Sequence, residues 1–350
     1  MFVKNIWYVA AWSTELGTAK PISRTVIGEP VALYRKADGA VVAMEDRCPH
    51  RHAPLSLGRI EGDDLKCMYH GLKFGSDGAC KHVPGSELLP PKSAVRTFPV
   101  VERSSWIWVW MGDPALANAD DVLYATGLDD PQWLMRESAI DYAANWELIN
   151  DNLCDLSHLD YTHETTLGRA TGATWSNAAP KITPIDNGLL FERWFPDVVA
   201  GPGGTTVDSW SAYRYLLPGI FLLHTFQYPA GTARLSGFGP PPPDAVPVFR
   251  RAEQQAVTPQ TATRTRYLFA TGVDAAMADL TTLDARYGVV AAAFAEDKVM
   301  IEAQQKIWET TPPDRPKAFI PQDTGPAAFR RLVAKRLTLE TGDALSQAAE

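Results

Sequence analysis

Two short loops constrain this chain more than anything else in it: Cys48-Pro49-His50-Arg51-His52 and Cys67-Met68-Tyr69-His70-Gly71. They read as C-x-H and C-x-x-H, with sixteen residues between His50 and Cys67. Thiolate and imidazole ligands together select zinc or an iron–sulfur centre. A mononuclear Cys2His2 zinc site would accept the same four groups. Pro49 stiffens the first loop, and Gly71 permits a sharp turn after the second. Four cysteines in 350 residues are too few for a disulfide scaffold and fit a reducing cytoplasm. Cys80 and Cys154 then read as small buried hydrophobes.

The setting of the loops is β-rich. Ala37-Asp38-Gly39 and Ser76-Asp77-Gly78 are turns between strand-like runs, and Trp106, Trp108 and Trp110 alternate as on one face of a strand. On β-loops, C-x-H with C-x-x-H matches the Rieske [2Fe–2S] pattern, two cysteines on one iron and two histidines on the other. That makes Cys48, His50, Cys67 and His70 the expected ligands. His52 is left beside the cluster or facing solvent. The polar stretch over residues 113–133 is a plausible boundary, giving expected domains of 1–115 and 116–350, as the length suggests.

Beyond the boundary, residues 142–163 read as a helix, LLFERWF and IFLLHTFQY as strands, and 281–308 as a second helix. Four prolines at 240–243 require an extended loop, and TGDALSQAAE reads as a frayed tail. A net charge of −8 argues against nucleic acid and anionic membranes as partners. No segment reaches the ~20 apolar residues of a membrane helix. MFVKNIWYVAAWSTEL reads as a strand with aromatic anchors, not a signal peptide.

The 142–163 segment holds a second constellation. Asp155 and His158 are three apart and share a helix face. His158 and His163 lie about 140° apart on an ideal helix, so a bulge or helix end must bring them together. Two histidines leave a facial iron triad one carboxylate short. In the later helix, Phe294, Asp297, Ile301 and Trp308 share a face, so Asp297 sits among core residues where a cation would offset its burial. Glu296 and Glu302 fall off that face and read as solvated.

These motifs, with NIWYVAAW, APLSLGRIEG, WIWVWMGDP and DNLCDLSH followed by His163, resemble the Rieske non-heme iron oxygenases. The likeness is to the branch of vanillate O-demethylase, dicamba O-demethylase and toluenesulfonate methyl-monooxygenase, and runs from about residue 5 to residue 310. Cys154 stands where a methionine is usual. Respiratory Rieske proteins carry two further cysteines, at the places of Ala53 and Tyr69 here, and a serine at the place of Leu72. Their absence points to a low-potential cluster.

The resemblance implies an α+β chain. An all-β Rieske domain precedes a helix-grip catalytic domain, an antiparallel sheet with helices, and the subunits form a head-to-tail homotrimer. It implies a mononuclear Fe(II) on His158, His163 and Asp297, with Asn152 near it. Asp155 would be the carboxylate linking a cluster histidine of one subunit to an iron histidine of the next. Electrons would come from an NADH-dependent flavin or iron–sulfur reductase, since this chain has no G-x-G-x-x-G of its own. The expected reaction is O-demethylation of a vanillate-like methoxylated aromatic acid with O2, releasing formaldehyde. Hydroxylation of an aryl methyl group or of the ring is the alternative. A Rieske electron carrier and a zinc-stabilised binding protein are the readings from other classes. His224 is the foremost candidate for a substrate contact, with Arg193, Arg214 and Gln255 as weaker candidates for an acid-group anchor.

Overall fold

The computed structural model describes residues 1–170, 174–199 and 202–347. By contact density the chain divides into two units, Met1–Tyr124 with Thr258–Ala262, and Ala125–Val257 with Thr263–Glu350.

In the first unit, β1 (Trp7–Trp12), β2 (Ile22–Val26), β3 (Glu29–Arg35) and β4 (Val41–Glu45) precede β5 (Arg59–Glu61), β6 (Asp64–Lys66), β7 (Lys73–Phe74) and β8 (Cys80–His82). Three more follow, β9 (Thr97–Phe98), β10 (Val100–Arg103) and β11 (Trp106–Trp110). They form three antiparallel sheets, ordered β1-β11-β10, β2-β3-β4-β9 and β5-β6-β7-β8. Both faces of β11 are buried. Trp106 and Trp110 pair across the sheet with Trp12 and Trp7, ring centroids 5.5 Å apart in each case, while Ile107 and Val109 join the opposite core with Tyr8. A second core gathers Tyr34, Met44, Leu65 and Phe74 around Cys48, Cys67 and Cys80. This core carries the two cysteine–histidine loops, which leave β4 and β6.

The second unit is built on a seven-stranded antiparallel sheet, ordered β12-β18-β17-β16-β15-β14-β13. Its strands are β12 (Trp133–Tyr142), β13 (Lys181–Ile185), β14 (Gly188–Val199), β15 (Thr206–Leu216), β16 (Ile220–Pro229), β17 (Phe249–Thr261) and β18 (Arg264–Asp274). The helices are α1 (Trp146–Cys154), α2 (Leu167–Ala170), α3 (Thr232–Leu235), α4 (Leu280–Thr310) and α5 (Thr324–Gln347). Buried Asn150 ties α1 to the sheet by accepting from the Tyr215 hydroxyl at 2.6 Å. Next to it, Asp151 pairs with Arg330 of α5.

Two expectations need correcting. The 142–163 segment is not one helix. Residue 142 ends β12, α1 stops at Cys154, and a separate 3-10 turn spans Leu156–Asp160. Nor does the chain fray from 341. Helix α5 continues to Gln347, and the last three residues lie outside the described ones. No described helix is long and apolar enough to cross a membrane.

Candidate functional site

The two loops of the first unit are near copies. The Cys48 amide donates to the Ala53 carbonyl at 2.9 Å and the Cys67 amide to that of Leu72 at 2.8 Å. His52 and Gly71 each donate back to the preceding cysteine's carbonyl at 2.9 Å. The corner residue has positive φ in both, 56° at His52 and 79° at Gly71. Each loop thus tucks its thiol inward and presents its histidine outward. Cys48 and Cys67 are buried, while His50 and His70 are exposed with ring centroids 4.5 Å apart. Burial, with the Cys67 thiol beside it, pushes the Cys48 thiol up to about 11, opposed by the backbone N–H groups of His50 and Arg51. Two buried thiols beside two outward imidazoles fit a cluster that takes sulfur on one iron and nitrogen on the other. His52 is exposed, and Cys80 and Cys154 are buried free cysteines.

In the second unit the break at Asp155 organises the site. With φ −127° and ψ 98° this residue leaves the helix, and its carboxylate caps the following turn by accepting from Ser157 N at 2.8 Å. Asp155 and His158 therefore do not share a helix face. His158 Nδ1 meets the Asp155 backbone carbonyl, not its carboxylate. Farther on, the His163 carbonyl accepts from Thr166 and Gly168. A Cβ at Gly168 would lie 2.5 Å from the Leu159 carbonyl, so only glycine lets the chain fold back there.

Helix α4 supplies the carboxylate. Asp297 is 3% exposed. Its Oδ1 lies 3.2 Å from His163 Nε2, 3.6 Å from His158 Nε2 and 2.9 Å from Asn152 Nδ2. One ligand atom from each of His158, His163 and Asp297 falls within 4.8 Å of the others. Both imidazoles have Nδ1 taken, by the Asp155 carbonyl and by Glu296 Oε2 at 2.8 Å, which leaves the Nε2 lone pairs converging on the carboxylate. That is the tautomer a metal requires. Burial lowers the His158 pKa. At His163 burial acts the same way, but Asp297 and Glu296 outweigh it and raise the pKa.

Glu296 is thus not solvated as the helical pattern suggested. It receives His163, Thr166 and Thr165. Glu302 also has a structural task, accepting from the Ala143 amide at 2.8 Å. Asp160 spends both carboxylate oxygens on Trp175 and Ser176.

A cavity opens on these groups. Asn152, His158, His163, Asp297 and Phe294 line one side, and alternate residues of the sheet line the other: Phe221, Leu223 and Thr225 of β16, and Arg251, Glu253 and Gln255 of β17. His224 is not among the lining residues. The period-two alternation of β16 turns it to the opposite face, where its ring lies 5.9 Å from those of Trp133 and Phe226. Arg214 is exposed, and Arg193 is buried outside the cavity, its guanidinium over the Trp175 ring. Of the weaker candidates only Gln255 reaches the cavity. Arg251, Glu253 and Arg286 were missed, although the alternation in FRRAEQQAV carries the first two.

Such a pair of centres, one on paired cysteine–histidine loops and one on a His-His-Asp triad against a sheet, defines an oxidoreductase that joins a Rieske cluster to non-heme iron. The Rieske [2Fe-2S] domain model matches residues 6–99, and the vanillate O-demethylase oxygenase C-terminal domain model matches residues 142–339. The chain is 41% identical to the iron–sulfur subunit TsaM1 of the toluene-4-sulfonate monooxygenase system of Comamonas testosteroni, over 98% of this chain and 99% of that protein. It is 34% identical to the oxygenase component of dicamba O-demethylase from Stenotrophomonas maltophilia, over 87% and 88%. A crystal structure of dicamba monooxygenase with non-heme iron and dicamba superposes with a TM-score of 0.81 at 29% identity, covering 98% of this chain and 99% of that one. The chain belongs to the Rieske oxygenase α subunits, in the branch of vanillate O-demethylase, dicamba O-demethylase and toluenesulfonate monooxygenase. It is a terminal oxygenase component, with a Rieske [2Fe–2S] domain and a His-His-Asp mononuclear iron site. The electron-carrier and zinc-protein readings fall away.

Proposed function

We propose that this oxygenase hydroxylates the methyl group of a small aromatic acid of the toluenesulfonate type, in preference to the methoxy demethylation expected from the sequence. The observation that carries this is the ranking of relatives. The toluene-4-sulfonate system subunit is 41% identical across nearly the whole chain, against 34% for dicamba O-demethylase and 30% for a vanillate O-demethylase. Both reactions insert oxygen into a methyl C–H bond. A methyl on the ring keeps the new hydroxyl, whereas a methyl on oxygen becomes a hemiacetal and leaves as formaldehyde.

When bound, the cluster would supply electrons singly and the iron would supply the O2-activating chemistry. The residues do the rest. His158, His163 and Asp297 hold the metal, and Cys48, His50, Cys67 and His70 hold the cluster. Glu296 and the Asp155 carbonyl keep the Nδ1 protons of the iron histidines in place, so each Nε2 stays available. Phe221, Leu223 and Phe294 give the cavity apolar walls that keep water from the ring. An NADH-dependent reductase is the electron source, the compartment is the cytoplasm, and the assembly is a head-to-tail homotrimer. In its favour, Asp155 and His158 together line an open concavity with Glu147, Asp151 and Arg330.

The test is parallel aerobic incubation with a surrogate reductase, NADH and either toluene-4-sulfonate or vanillate. The expected outcome is 4-hydroxymethylbenzenesulfonate from the first, outpacing formaldehyde from the second. Faster release of formaldehyde from vanillate would restore demethylation.

A further inference from the structure

Strand β17 reads FRRAEQQAV, and its alternation turns Arg251, Glu253 and Gln255 into the cavity. The register aligns these side chains with the neighbouring strands. Ser211 of β15 pairs with Thr225 of β16, and Thr225 with Arg251 of β17. Residues directly opposed across an antiparallel pair put their side chains about 5 Å apart on one face. Hydroxyl, hydroxyl and guanidinium therefore stand in a row along the cavity wall.

The charges in this wall do not balance. Glu253 is already engaged, by Arg286 of α4 and by Gln255 Nε2 at 3.1 Å, while Gln255 accepts from the Tyr267 hydroxyl at 2.6 Å. Arg251 has no hydrogen bond among the described residues, and its Nε is out of reach of solvent. The Ser211 hydroxyl is buried with no partner. Two guanidinium groups thus face one carboxylate. An unpaired cation that is half-buried is costly, and one negative charge relieves it. Asp297 cannot supply that charge, because it closes the iron triad. Arg193 stands next in the row, opposite Ser211, but its guanidinium lies over the Trp175 ring and donates to Ala178.

We propose that Ser211, Thr225 and Arg251 form an anion-binding subsite that takes the single acid group, sulfonate or carboxylate, of the aromatic substrate. This rests on the oxygenase reading above and adds to it the residues that recognise the acid group. A guanidinium fork with two hydroxyls suits the oxygens of a sulfonate or carboxylate better than a neutral amide, and the one missing charge calls for a monoanion.

Calorimetric titration of the loaded enzyme with toluene-4-sulfonate, 4-methylbenzoate and uncharged toluene-4-sulfonamide tests this. Wild type is expected to bind the better anion about 30-fold more tightly than the sulfonamide. Arg251→Gln is expected to bind all three alike, while Arg251→Lys keeps part of the preference. Exposed Arg214, changed to Gln, should leave the preference untouched. The relative affinity of the two anions identifies the acid. If Arg251→Gln does not fold, the wild-type preference decides alone. A preference that survives Arg251→Gln, or a wild type that binds the sulfonamide as tightly as the anions, overturns the subsite and leaves the oxygenase reading standing. Failure to bind or oxygenate any of the three removes both.

Discussion

Asp297 shows how far a single position could be read in advance. Its place on the apolar face of α4 was visible in the helical period, and a buried carboxylate calls for a cation. Replacing it with alanine should remove the mononuclear iron and all turnover while the red-brown cluster remains. Metal analysis beside the visible spectrum would show it, and unchanged iron would move the carboxylate ligand elsewhere. Glu296 shows the limit of the same reasoning. A helical wheel places it off the core face, but the chain returns at His163 to meet it, a long-range contact that no local period encodes. Glu296→Gln should weaken iron retention about tenfold under a chelator challenge, at constant cluster content. Wild-type retention in that variant would reduce Glu296 to a surface acid. Arg251 was hidden for a related reason, since what distinguishes it is the missing partner. Burial and the neighbouring Arg286 push its pKa down to about 9, with Glu253 opposing, so it stays charged at neutral pH. His158, His163 and Asp297 also line the cavity, but as ligands of the loaded iron they are not free to titrate there. Affinity for a sulfonate should therefore be flat from about pH 6 to about pH 8. A histidine anchor would instead lose affinity as the pH rises through about 6.5.

Among the elements, the loops were the most legible and the helix break the least. Spacing picked out both cysteine–histidine pairs, and the structure sets them on matching loops with the His50 and His70 rings 4.5 Å apart. Gly71 was correctly read as a turn residue. His52, at the matching corner with φ 56°, was legible only as a non-ligand. Its substitution by glycine should keep the cluster spectrum and stabilise the fold or leave it unchanged, since glycine takes that backbone without strain. Gly71→Ala should lower stability by about 1–3 kcal/mol, because it combines positive φ with a Cβ 2.7 Å from Pro84 Cγ. Thermal melts of the two variants compare these directly, and equal melts would refute the account of the corner. The sequence required a bulge or a helix end to bring His158 and His163 together, and the chain leaves α1 before either histidine. That the end falls at Asp155, with the backbone carbonyl and not the carboxylate meeting His158, is a matter of φ and ψ that residue spacing does not encode.

For the molecule as a whole, the α+β architecture, the two metal centres and the family followed from the cysteine–histidine loops, the segment around His158 and His163, and Asp297 in α4. The substrate did not. The cavity wall lies in β15 to β17, where every residue type is ordinary for a strand and only the register reveals which side chains meet. The proposed homotrimer makes its own prediction. If each cluster serves the next subunit's iron, co-assembly of equal amounts of His70→Ala and Asp297→Ala chains should restore about a quarter of wild-type activity, though each alone is dead. Verified mixed assemblies without activity would exclude that route. The central claim, that this chain places oxygen from O2 on the methyl carbon of an anionic aromatic, is tested most directly by turnover of toluene-4-sulfonate under labelled O2 with NADH and a surrogate reductase. Mass spectrometry should find one labelled oxygen in 4-hydroxymethylbenzenesulfonate. A ring-hydroxylated product, or a hydroxymethyl product whose oxygen comes from water, would contradict it.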